Sequence, residues 1–148
     1  MTTPGVVLAV FMRFLHISSV VALIGGFIYA RLAVWPALAS FGAAESPALI
    51  EAMASRFRGM LYTLLATTLI SGLYNYLTKS AYPPHYHMVI GIKFLFVLHI
   101  FAVSVLYTMP QADPAKRKRW LTGMAISGLI VIAISADLRW ISLNYLTH

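Results

Sequence analysis

The chain has 148 residues, of which 60% are hydrophobic and 10% charged, with a formal charge of +7, a mean hydropathy of +0.81 and no cysteine. Apolar runs near the roughly 20 residues that a helix needs to cross a hydrocarbon core exclude a water-soluble domain, and only helices satisfy their own backbone in lipid. The lack of Cys excludes disulfides, thiolate metal sites, iron–sulfur clusters and cysteine-linked haem, and leaves metal chemistry to His, Met, Tyr or carboxylate.

The expected fold is all-α: a single-domain, integral membrane four-helix bundle over residues 1–148. The first helix is expected over about 6–34, ended by Trp35-Pro36, because proline disfavours helical backbone in the residue before it. No basic segment precedes this apolar run, so it reads as a mature helix and not as a signal peptide. Residues 37–58 carry Glu45, Glu51, Arg56 and Arg58 among small apolar residues and suggest an amphipathic segment at the interface. A second helix is expected over about 59–77. Pro83-Pro84 breaks the chain before a third over about 88–108, and a loop from Pro110 to Lys118 precedes a fourth over about 119–143.

Arg31, Arg56 and Arg58 accompany the first loop and Lys116, Arg117, Lys118 and Arg119 the third. Positive residues favour the cytoplasmic side, so both termini and the loop with His85 and His87 are expected outside. The basic run of four reads as topogenic or as a contact to anionic lipid, with no nucleic-acid partner expected.

Titratable residues inside the spans are costly and mark sites. At 1.5 Å per residue His16 lies roughly 12 Å and His99 roughly 16 Å below the outer surface, with Arg13 and Lys93 above them. Imidazoles below cations suit a b-type haem, its iron on His16 and His99 and its propionates on Arg13 and Lys93. Phe11, Met12, Phe14, Phe94, Leu95 and Phe96 are candidates for its apolar wall. His85 and His87 flank Tyr86 in a spacing that also suits copper or zinc, and His148 ends the chain. Gly25-Gly26 and Gly72 let a helix or flat ligand approach closely. Asp137 is expected to pair with Arg139, Arg13 or Lys93.

The stretch Arg13-Phe-Leu-His16, then Gly25-Gly26 and Tyr29-Ala-Arg31, resembles the first helix of the copper-resistance protein D superfamily and of the related HemJ-type protoporphyrinogen oxidases. Ser55-Arg-Phe-Arg58 with Ser71-Gly72-Leu73 is similar to their second helix, and Gly91-Ile-Lys93-Phe-Leu to their third. The resemblance implies a helical bundle in a bacterial inner membrane that binds haem b through His16, with Lys93 important for activity. Asp113-Pro114 and the basic run stand where the oxidase has an Asn-Glu-Pro-type pattern, a departure that points away from porphyrinogen oxidation. The expected function is a haem-b redox protein, an oxidoreductase or electron-transfer subunit, carrying electrons from a membrane quinol to an outer partner. Copper handling through His16, His85, His87 and Met88 is the first alternative. A structural or pigment-holding subunit of a larger membrane complex is the second.

Overall fold

A computed structural model of the chain describes residues 3–42, 46–78, 84–110 and 113–146. The described residues form four helical rods. The first combines α1 (Thr3–Tyr29), a π-turn (Ala30–Val34) and α2 (Trp35–Ser40). The others are α3 (Pro47–Leu77), α4 (Pro84–Thr108) and α5 (Pro114–Leu146).

Every rod is longer than the sequence suggests, and proline is the reason. Pro36 does not end the first rod. It lacks an N–H and its ring crowds the carbonyl four residues back; the backbone widens into the π-turn, where the Trp35 N–H bonds to Ala30 O five residues away, and the helix resumes. Gly42, at φ 66°, then stops it, a left-handed conformation that glycine adopts without steric cost. Pro47, Pro84 and Pro114 each open a helix, where a missing N–H costs nothing. Ser46 caps α3 by accepting the Leu49 N–H, and Asp113 Oδ1 accepts the Ala115 N–H at 2.8 Å. The expected interfacial segment at 37–58 is therefore the end of one rod and the start of the next, and the expected loop at 110–118 is largely the first turn of α5. Glu45, Pro83 and His148 lie outside the described residues.

Contacts fix the direction of each rod. Met12, His16, Ser19 and Gly26 of α1 meet Asn75, Ser71, Thr68 and Phe57 of α3, numbers rising on one helix as they fall on the other. His99 and Ser104 of α4 meet Ser127 and Met124 of α5 in the same antiparallel sense. Ile24 and Arg31 of the first rod meet Gly128 and Thr122 of α5. The core lies between all four, with Phe27, Leu61, Leu121 and Met124 fully buried. At Gly128 an added Cβ would stand 2.8 Å from Ile24 Cγ1, so only glycine permits the α1–α5 approach.

Three of the helices are long and apolar enough to cross a membrane: Pro4–Ser40, His85–Thr108 and Pro114–Leu143. Their apolar flanks are outward, Phe14, Val21, Leu98 and Leu129 all being more than half exposed. At one end a polar clamp joins α3, α4 and α5. Arg117, 1% exposed, donates to Glu51 Oε2 at 2.5 Å and to Met109 O at 2.8 Å, while Arg58 donates to Thr108 O at 2.6 Å. Two guanidiniums thus cap the carbonyl end of α4, where the helix dipole favours cations. Arg117 is a buried structural group, a different role from the surface charge expected of it.

Candidate functional site

The imidazole of His16 packs against Gly72. A Cβ at that position would come within 2.9 Å of His16 Cε1 and 3.2 Å of Nδ1, so α3 receives the ring only because residue 72 has no side chain. His16 Nδ1 stands 3.1 Å from Thr68 O and 3.2 Å from Ser71 Oγ. Ser71 spends its one hydroxyl hydrogen on Thr67 O of its own helix and offers His16 a lone pair. With two acceptors against it, Nδ1 carries the proton. The Nε2 lone pair is left bare, with no hydrogen-bond partner among the described residues. An N–H held by a backbone carbonyl while the other nitrogen stays open is the usual arrangement of a metal-binding histidine.

His16 lines a cavity of about 830 Å³ between α1, α3, α4 and α5, within the size range of small-molecule and cofactor sites. Arg13, Lys93 and Arg139 line it too, and no carboxylate does among the described residues. None of these three cations has a hydrogen-bond or ion-pair partner among the described residues. Three uncompensated cations on low-dielectric walls create a field that draws an anion. The walls are apolar, with Leu73, Ile90, Phe94, Val97 and Leu138, and Tyr76 meets Phe94 edge to face at 6.2 Å between ring centres. A ligand suited to this space is anionic, largely apolar, and able to use one neutral imidazole nitrogen.

Of the expected site residues, Arg13, His16 and Lys93 share this cavity, and His99 does not line it. His99 is exposed on the flank of α4, its Nδ1 2.9 Å from Ser127 Oγ of α5 and its Cε1 beside Gly123. Matched depth places two residues at one level without fixing the direction in which they face, and six helical steps from Lys93 leave His99 about 120° around α4. His16 and His99 therefore do not converge on this cavity. Phe94 is the one expected wall residue that lines the cavity, while Phe11, Phe14 and Leu95 are exposed outside it and Phe96 packs on the core. Asp137 is exposed and pairs with neither Arg139, Arg13 nor Lys93.

His85 and His87 are exposed on the first turn of α4, with His87 Nδ1 3.4 Å from Tyr76 OH, and neither they nor Met88 lines the His16 cavity. No group of three or more His, Asp or Glu side chains is placed to hold a metal among the described residues. Thr68 and Ser71 are the residues around His16 that sequence reasoning did not select for the site, whereas Gly72 was expected to admit a helix or flat ligand and Arg139 was expected to pair with Asp137. Nothing in a local pattern marks a threonine or serine as holding a ring on another helix.

No family model, no curated protein and no solved structure matches this chain.

Proposed function

We propose that the protein is a four-span membrane protein that binds one haem b in the His16 cavity and passes electrons between a membrane quinol and a partner on the outer side. The observation that carries this reading is the bare, oriented Nε2 of His16 opening on an apolar cavity rimmed by Arg13, Lys93 and Arg139. The donor set fits the group: one imidazole for iron, cations for two propionates and aliphatic walls for the macrocycle. A haem there supplies one-electron chemistry. The chain's own residues bind and orient it: Thr68 and Ser71 hold the imidazole plane, Gly72 admits it, and the three cations neutralise carboxylates. With His99 directed elsewhere, the protein supplies one axial histidine.

The fourth crossing is assigned to α3. It lies antiparallel against α1 for most of its length, from the Asn75–Met12 contact to the Phe57–Gly26 contact, so a membrane containing α1 contains α3. Its Thr, Ser, Asn and Tyr side chains lower its hydropathy but many turn inward to the site. Both termini lie outside in this reading, and the Arg117 end faces the cytoplasm of a bacterial inner membrane. The resemblance of the short segments around His16, Gly72 and Lys93 to HemJ-type and copper-resistance protein D sequences supports the haem reading.

The test is an absorption spectrum of the purified full chain, isolated from haem-replete cells. A Soret band with a reduced α-band is expected, lost in His16→Ala. A colourless protein that fails to take up added haemin overturns the assignment.

A further inference from the structure

A second cavity, of about 650 Å³, opens at the other end of the first rod. There Gly26, Ala30, Val34 and Leu38 of the rod face Ile50, Met53, Phe57 and Met60 of α3. The two helices touch at Gly26, where an added Cβ would be an ordinary 3.8 Å from Phe57. Beyond that contact the rod passes through the π-turn, and a cleft lies beside it with Trp35 buried and Tyr29 and Met60 exposed in its lining. Such turns recur at functional sites.

Its charge content is specific. Arg56 lines the cleft on the same stripe of α3 as Met53, Phe57 and Met60, one turn from each methionine. The neighbouring cations are engaged: Arg31 donates to Thr122, Arg58 to Thr108 O, and Arg117 to Glu51 and Met109 O. Glu51, beside the cleft residues Ile50 and Ala52, is directed to Arg117 and Arg58 and not into the cleft. Arg56 is exposed and has no hydrogen-bond or ion-pair partner among the described residues. An apolar trough open to lipid, with one unpaired guanidinium on its wall and a basic helix start nearby, complements a single amphiphile with an anionic head.

We propose that this cleft binds one anionic phospholipid, its phosphate on Arg56 and an acyl chain lying between the π-turn and the Met53–Met60 stripe. The inference rests on the chain being embedded in lipid and is independent of haem. Aliphatic and methionine side chains accommodate a flexible chain without demanding one shape. The guanidinium selects for net negative charge over a zwitterionic head.

Native mass spectrometry of the full chain, titrated with phosphatidylglycerol and phosphatidylcholine of matched acyl chains, tests it. One retained phosphatidylglycerol is expected, favoured about fivefold, the preference worth one cation near a membrane surface. Arg56→Gln is expected to abolish the preference, Arg56→Lys to keep it, and Ala30→Phe, which fills the trough, to remove retention of both lipids. Thermal unfolding in detergent serves as the folding control and is expected to be unchanged in all three variants. Equal retention of the two lipids by the unaltered protein overturns the proposal, as does an undiminished preference in Arg56→Gln. Displacement of phosphatidylglycerol by an equimolar long-chain isoprenoid quinone would assign the cleft to quinone and overturn it as well.

Discussion

A backbone carbonyl decides which nitrogen His16 presents. Because Thr68 O can only accept, and Ser71 directs its own hydrogen at Thr67 O, the imidazole donates through Nδ1 and keeps Nε2 free. Gly72→Ala tests the seat directly. Its Cβ would stand 2.9 Å from a ring that is held on two acceptors and has nowhere to go without losing them. We expect haem retention to fall at least tenfold and stability to drop by about 1–3 kcal/mol, the usual cost of overpacking, read by pigment content and by thermal unfolding in detergent. That His16 faces other helices was legible in the sequence because a titratable side chain inside an apolar run needs a reason to be there. The wall residues were not. A helix that is apolar all round gives no periodic sign of which face meets lipid, so Phe11 and Phe14 were expected in the wall while Leu73 and Leu138, which line it, were not picked out.

Between elements, the clamp of Arg117, Glu51 and Arg58 fastens three helices at one end. Removing its only carboxylate leaves a guanidinium 1% exposed with no counter-charge. Glu51→Gln is expected to cost about 2 kcal/mol, less than a fully buried pair would because Glu51 is 35% exposed. Replacing both partners together, Arg117→Met with Glu51→Leu, is expected to cost less than Glu51→Gln alone, since the fully buried guanidinium then leaves with its partner and only the part-exposed Arg58 remains. Thermal unfolding of the three proteins checks the order. Helix number and sequence position were legible from the apolar runs, and the boundaries were not. Pro36 and Pro84 were read as breakers, whereas Pro84, like Pro47 and Pro114, starts a helix and Pro36 is absorbed by a π-turn. Proline's effect depends on whether its missing N–H was needed, and an apolar sequence does not say so.

For the whole molecule, the account requires α3 to cross the bilayer with the three more apolar helices. The absence of Cys makes this accessible to single-cysteine labelling in oriented membranes. Phe41→Cys and Lys116→Cys are expected to react from the cytoplasmic side, and Thr78→Cys and His85→Cys from the outer side. Thr78→Cys and Phe41→Cys labelling from one side would mean that α3 lies along the surface, with only three crossings.

The central claim is that one imidazole, His16, holds a haem in a cavity rimmed by cations. Its most direct test is the absorption spectrum of His16→Ala beside that of His99→Ala, each purified like the unaltered protein. The account predicts that the first variant loses the Soret and α-bands and the second keeps both. Equal loss in the two variants, or pigment retained by His16→Ala, would contradict it.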